Sequence, residues 1–162
     1  MKQLWAPWRM KYIKSEKNGE CAFCILPEEN RDEDNLILYR AENCFIIMNT
    51  YPYSNGHLMV CPFRHLDCLT KLSSKETEES WNLIRKCIEI LRSNYNAEGF
   101  NVGLNLGKAG GAGFDQHVHF HIVPRWTGDT NYMPVLADVK VQPEHLRAGY
   151  EKLQPLFQII SL

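Results

Sequence analysis

His117, His119 and His121 stand at alternate positions in the run Asp115-Gln116-His117-Val118-His119-Phe120-His121-Ile122-Val123-Pro124. Imidazole titrates near neutral pH and serves as base, nucleophile, phosphate donor or metal ligand. Apolar and polar residues alternating over this length predict a half-buried β-strand. All three rings then leave one face, while Val118, Phe120 and Ile122 enter a core from the other. Three crowded rings disfavour one another's charging, and each needs partners when buried. A solvated strand face that happens to use histidine is therefore the weaker reading, and a catalytic or metal-binding ladder the stronger.

Directly before the ladder runs Gly107-Lys108-Ala109-Gly110-Gly111-Ala112-Gly113. Its glycines let the backbone approach a ligand closely, and successive N–H groups in such a turn form an anion-binding nest. A flexible hairpin loop is the competing explanation, and the neighbouring histidines tip the balance. A phosphate placed here meets backbone donors on one side and imidazoles on the other. One histidine attacks phosphorus while others stabilise charge on the non-bridging oxygens. His119, flanked on both sides, is the candidate nucleophile. No magnesium-binding carboxylate cluster adjoins the loop.

Cys21-Ala22-Phe23-Cys24 has the spacing of zinc ligands, and a tetrahedral site needs two further nitrogen or sulfur donors. There is no second Cys-x-x-Cys, which leaves His65 and one histidine of the ladder as candidates. A redox pair lacks the βαβ setting expected of it. Two ordinary core cysteines are the remaining alternative. Cys44, Cys61, Cys68 and Cys87 lie in apolar segments and read as small core residues.

These groups need a frame. Leu36–Tyr39 and Cys44–Met48 read as strands around a turn at Ala41-Glu42-Asn43, and His57–Cys61 resumes as a strand closed by Pro62. Ser73 with Glu76 makes a capping box that opens an amphipathic helix to about Tyr95. Trp81, Ile84, Ile88 and Leu91 form its apolar stripe, and Glu78, Glu79, Arg85, Lys86 and Arg92 its solvated face. Phe100–Asn105 is a further strand, paired with the histidine strand across the glycine loop. Pro143 opens a last helix through Leu153 that ends near Pro155. Glu28 to Asn35 reads as a polar loop. The expected fold is α+β, with a mainly antiparallel sheet, one long helix and a C-terminal helix. Residues 1–20 form an aromatic, basic arm carrying Trp5, Trp8 and Tyr12; 21–140 form the domain; 141–162 form a helical tail, within one domain overall.

With 162 residues, 44% of them hydrophobic, the chain suffices for one substantial core. A net charge of −1 excludes the basic field that drives non-specific nucleic-acid binding. No apolar run is long enough to span a bilayer, and Met1 to Arg9 lacks the apolar centre of a signal peptide. A cytoplasmic protein with reduced thiols is the expectation.

His117-Val118-His119-Phe120-His121-Ile122-Val123 resembles the motif that names the histidine triad (HIT) superfamily of nucleotide hydrolases and transferases. Asn49 to Val60 resembles the family's upstream signature. Gly99 to Gly107, Val123-Pro124-Arg125-Trp126 and Leu4-Trp5-Ala6-Pro7-Trp8-Arg9-Met10 resemble the bacterial branch that includes diadenosine tetraphosphate phosphorylases. The resemblance runs from residue 4 to about residue 135. It implies a HIT-like fold and an enzyme acting on adenine nucleotides or dinucleoside polyphosphates, with inorganic phosphate or water as acceptor. His119 would be the nucleophile that takes the nucleotidyl group, and His121 would contact the same phosphate. Gly111, Ala112 and Gly113 would hold phosphate through their backbone, with Asn105 beside it. Asn49 would bind the ribose and His57 would support the site. Phe23, Leu26 and Ile47 would line the base pocket. Cys21, Cys24, His65 and His117 would hold a structural zinc. Self-association into a dimer or larger homo-oligomer is also implied, and no nucleic-acid or membrane partner. Phe114 departs from members that carry a side-chain donor three residues before the first histidine, so backbone amides of the glycine loop would do that work here. Two rivals stand beside this reading: a nucleotide-binding module of slow turnover, and a metal protein in which the triad itself coordinates the ion. His145 reads as a surface helix residue.

Overall fold

A computed structural model describes residues 21–129 and 144–159. The aromatic arm and Pro143 lie outside the described residues. Two short helices, α1 (Ala22–Glu28) and α2 (Asp32–Asn35), lead into strands β1 (Ile37–Arg40), β2 (Cys44–Met48) and β3 (Leu58–Pro62). The long helix α3 (Ser74–Tyr95) follows, then β4 (Gly99–Gly103), β5 (Phe120–Arg125) and the C-terminal helix α4 (Leu146–Phe157). The strands form one antiparallel sheet in the order β1-β2-β3-β5-β4. The α+β class expected from sequence, with a mainly antiparallel sheet, one long helix and a C-terminal helix, is what the chain adopts.

Both faces of the sheet are used. On one, Leu38, Ile46, Val60, Phe120 and Ile122 pack with Leu83, Ile84 and Leu91 of α3 and Tyr150, Leu153 and Phe157 of α4. Each fully buried Leu, Ile or Phe contributes about 1.5–3 kcal/mol, which makes this layer the main source of stability. The opposite face carries a smaller cluster of Ile37, Phe45, Ile47, Met59 and Cys61, roofed in part by Phe23 and Leu26 of α1. Strand register draws one row across that face, Ile37–Ile47–Met59–His121–Gly103. The row passes from apolar residues to a histidine and then to an edge without a side chain.

Local signals set the element ends. Ser73 Oγ accepts the Glu76 N–H at 3.2 Å while the Glu76 carboxylate accepts the Ser73 N–H at 2.7 Å, completing the capping box. Arg64 donates to both Glu76 oxygens, at 2.9 and 2.7 Å, tying the loop after β3 to the start of α3. Gly56 has φ +72°, and a Cβ there would come within 2.9 Å of Leu91 Cδ2. Only glycine fits that turn, and it delivers His57 to the sheet.

Several expectations are corrected. The stretch Glu28 to Asn35 is not simply a polar loop: it holds the end of α1 and all of α2, whose first turn is acidic at Asp32, Glu33 and Asp34 as the helix dipole favours. Trp81 lies 53% exposed, because Ser80, Leu83, Ile84, Cys87 and Leu91 form the buried stripe. Glu79 is not part of a free solvated face; its carboxylate accepts the Glu42 and Asn43 N–H groups of the β1–β2 turn. Cys68 is not a core residue; its sulfur accepts the Thr70 hydroxyl at 3.2 Å beside a short 3-10 turn. The last helix begins at Leu146 with His145 as its cap and includes Pro155. The histidine strand starts only at Phe120, since the chain before it is held by the Val118 N–H to Leu66 carbonyl bond of 2.6 Å.

Candidate active site and metal-ligand cluster

His121 is the one ladder residue within β5, while His117 and His119 sit on the approach to it. Alternation nevertheless holds: Val118, Phe120 and Ile122 enter the main core, and the histidines face the other way. The His119 and His121 rings meet edge to face at 4.9 Å.

Hydrogen bonds to backbone groups of known polarity fix which nitrogen carries each proton. His119 Nδ1 lies 2.7 Å from the His117 carbonyl, which only accepts, so Nδ1 donates and Nε2 keeps its lone pair. The Tyr53 N–H donates to His57 Nδ1 at 3.0 Å, so the fully buried His57 carries its proton on Nε2. That proton is directed at His121 Nδ1, 3.0 Å away, and the neutral His121 therefore bears its own on Nε2. His117 Nε2 donates to the Pro62 carbonyl at 2.9 Å and leaves Nδ1 bare. A bare Nε2 and a protonated Nε2 thus stand side by side, one able to attack and the other able to donate. Burial lowers the His119 pKa below its usual value. Burial, then the neighbouring His119 charge, lowers His121 to about 4. Both are neutral at pH 7.

Phe23 stacks on His119, with centroids 4.9 Å apart and planes 27° apart, and meets Phe114 edge-on at 5.6 Å. Leu26 and Ile47 belong to the same apolar cluster, so the three expected base-pocket residues do come together. Asn49 Oδ1 accepts the Tyr51 N–H at 2.8 Å, and its Nδ2 lies 3.5 Å from His57 Nε2. Asn105 Nδ2 reaches the Gly111 carbonyl at 3.5 Å. The glycine loop turns through Gly107 at φ +67° and Gly111 at φ +84°, around a 3-10 turn at Lys108–Gly110. Gly111 and Gly113 are exposed and Ala112 is half-buried.

The donors of Cys21, Cys24, His65 and His117 lie within 4.8 Å of one another, the one such group of His, Cys, Asp and Glu side chains among the described residues. Cys21 Sγ and Cys24 Sγ are 3.2 and 3.6 Å from His117 Nδ1, and Cys24 Sγ is 3.4 Å from His65 Nδ1. A tetrahedron with metal–sulfur bonds of about 2.3 Å and metal–nitrogen bonds of about 2.0–2.1 Å has edges near these lengths. His117 also shows the pattern of a ligating histidine, a bare nitrogen inward and the other N–H anchored on a carbonyl. Burial and then the Cys24 thiol push Cys21 up to about 12. The donor set fits a metal ion that would let it ionise.

Sequence reasoning missed the Tyr53 and Pro62 backbone groups that set the tautomers, and the contact of Phe23 with His119. The last was accessible: anything that joins Cys21 and Cys24 to His117 carries Phe23 to the ladder. A cavity of about 370 Å³ beside the cluster is lined by His65, Leu66, Asp67, Lys71, Asp115 and Gln116, away from the His119–His121 pair.

Comparison with known proteins bears on the same region. The family model described as the HIT domain matches residues 30–128. AP-4-A phosphorylase of Mycobacterium tuberculosis is 36% identical over 156 residues, 91% of this chain and 80% of that protein. Bis(5'-adenosyl)-triphosphatase of Dictyostelium discoideum is 26% identical across 75% of this chain and 85% of its own. Among solved structures, a Zn-bound histidine triad family protein from Mycobacterium smegmatis aligns with a TM-score of 0.68 at 23% identity, covering 86% of this chain and 94% of that one, a likeness of fold. A histidine triad nucleotide-binding protein from Sulfolobus tokodaii aligns at 0.67 with 25% identity, over 85% and 89% of the two chains. The span of the family match and the identity over most of the chain make this protein a member of the HIT domain family.

Proposed function

We propose that the chain is a HIT-type enzyme that cleaves dinucleoside polyphosphates at an α-phosphate through a nucleotidyl-histidine intermediate. The observation that carries this reading is the His119 Nδ1 bond to the His117 carbonyl, which leaves Nε2 bare on the side of the His121 donor. Nε2 attacks the α-phosphorus, the P–N bond forms, and the bond to the remaining polyphosphate breaks. For diadenosine tetraphosphate the first products are adenylyl-His119 and ATP. The imidazole charge that develops is stabilised by the Nδ1–H to carbonyl bond, and His121 Nε2–H faces a non-bridging oxygen. Backbone N–H groups of Gly111 to Gly113 line the phosphates, with Asn105 beside them. Phe23, Leu26 and Ile47 receive the base and Asn49 the ribose. Inorganic phosphate then displaces His119 to give ADP, or water displaces it to give AMP.

Phosphorolysis is favoured by the 36% identity to a protein named AP-4-A phosphorylase. Cys21, Cys24, His65 and His117 hold a structural zinc, a choice that rests on their two sulfur and two nitrogen donors. Bound there, the ion supplies a four-point cross-link without redox chemistry. The enzyme works as a homo-oligomer in the cytoplasm. Incubation with diadenosine tetraphosphate, with and without phosphate, tests the reaction. ADP and ATP formed only with phosphate agree with phosphorolysis, AMP and ATP in its absence mean hydrolysis, and no cleavage under either condition removes the proposal.

A further inference from the structure

The Cys-x-x-Cys segment does more than staple the start of the domain, because the residue between its sulfurs touches the reacting side chain. Cys21 caps α1, and its carbonyl accepts the Cys24 and Ile25 N–H groups at 3.0 Å each, so α1 begins as a closed turn. Phe23 leaves that turn and lies face-on against His119 at 4.9 Å. Its ring is held from two further sides, by His117 at 5.5 Å and by Phe114 at 5.6 Å. A second path joins the same two places. His117 offers Nδ1 to the cysteines while its carbonyl holds His119 Nδ1. The metal-ligand cluster therefore reaches the His119 ring twice, once through a hydrogen bond that fixes the tautomer and once through a stacked ring that fixes the tilt.

We infer that Phe23 is a positioning residue for His119, and that occupancy of the Cys21–Cys24–His65–His117 cluster sets how firmly Phe23 holds that ring. This rests on the nucleophile assignment above and adds to it a reason why the ligands and the reacting residue are interleaved in one motif. The physical basis is the steep dependence of displacement on alignment. Attack on phosphorus needs Nε2 in line with the leaving oxygen, and His119 is free to rotate about its Cα–Cβ and Cβ–Cγ bonds unless packing stops it. The carbonyl bond restrains one edge of the ring, and a flat aromatic surface restrains its plane. Offset or edge-on packing of such rings restrains them beyond what burial alone does. Cys21 and Cys24 hold α1, and with it Phe23, only as tightly as they themselves are held.

A base-pocket role and a positioning role for Phe23 predict different kinetics. Phe23→Leu keeps an apolar wall but removes the flat face. The expected result is a fall in kcat on the order of tenfold with diadenosine tetraphosphate and little change in KM. Phe23→Tyr, which keeps the face, is expected to restore kcat. Loss confined to KM would assign Phe23 to base binding alone and overturn the inference. Proton NMR of the imidazole Cε1–H and Cδ2–H in the full chain, without substrate, gives a readout independent of activity. Phe23 holds the His119 resonances upfield through its ring current, so Phe23→Leu is expected to shift them. Removing the metal from the wild-type protein under conditions where circular dichroism shows it folded is expected to shift or broaden the same resonances. His119 resonances indifferent to metal removal would overturn the coupling, and this arm needs no substitution to fold. Absence of turnover in the wild type would remove the proposed function yet leave the spectroscopic link between cluster and ring intact and readable.

Discussion

Proton placement in this site follows from three backbone groups: the His117 carbonyl, the Pro62 carbonyl and the Tyr53 N–H. Each meets one imidazole nitrogen and thereby decides what the other can do. His57→Leu keeps volume but leaves the Tyr53 N–H and His121 Nδ1 without this partner. It is expected to lower kcat about 10- to 100-fold, as loss of an outer partner does elsewhere, with nucleotide affinity measured by calorimetry changed far less. A loss of affinity with unchanged kcat would contradict the relay. The pKa directions carry a second consequence. His121 falls from 6.5 to about 4 through burial, so folding favours its neutral form. The stability this represents is fully present above pH 6.5 and is lost as pH falls toward 4. Denaturant unfolding of the wild type is expected to weaken across that window, and His121→Asn to flatten the slope. An unchanged slope in the variant would mean that His121 is not the group involved.

At the scale of elements, the junction of β3 with α3 is held by one buried carboxylate. Glu76, 5% exposed, completes the capping box and receives Arg64, which holds its pKa near 2. Glu76→Ala removes both and is expected to cost about 2 kcal/mol in denaturant unfolding. In the wild type this contribution is present above pH 4.5 and fades as pH falls toward 2. The capping box was legible because it is a local signal, as were β2 and the pairing of β4 with β5. Trp81 and the helices around Glu28 to Asn35 were not. Trp81 falls at helical spacing from Ile84 and Ile88, and only the sheet's position puts Leu83 and Cys87 on the inner stripe instead. The polar composition of 28–35 conceals α2, whose acidic first turn is the signal that could have revealed it. The histidine strand begins later than alternation implies, because Leu66, distant in sequence, takes the Val118 N–H. For the site, residue types and spacing brought Cys21 and Cys24 together with His65 and one histidine of the ladder, and it was the resemblance to the HIT superfamily that singled out His117. The tautomers depended on carbonyls and amides that no side-chain pattern encodes.

Across the whole molecule, the described residues use the two sheet faces for different purposes. One is closed by α3 and α4 and carries most of the buried apolar surface. The other carries the smaller cluster, partly roofed by Phe23 and Leu26 of α1, and the side chains of Cys21, Cys24, His65 and His117 meet beside it. Removal of the metal by a chelator is expected to lower the melting temperature by several degrees, since a ligand bound only by the folded state stabilises it. Cys24→Ser is expected to do the same and to be insensitive to the chelator. A melting curve that ignores the chelator in the wild type would remove the cluster's structural role. No described helix is long and apolar enough to cross a membrane.

The bond proposed between His119 Nε2 and the α-phosphorus is open to direct measurement. Rapid acid-free quenching of the enzyme with diadenosine tetraphosphate labelled at the α-phosphate, followed by peptide mass analysis, measures it directly. The expected result is a base-stable, acid-labile adenylyl group on the peptide containing His119, formed before ADP or AMP appears and absent from His119→Asn, which still binds nucleotide. An adenylyl group on another residue, or turnover by His119→Asn near the wild-type rate, would contradict it.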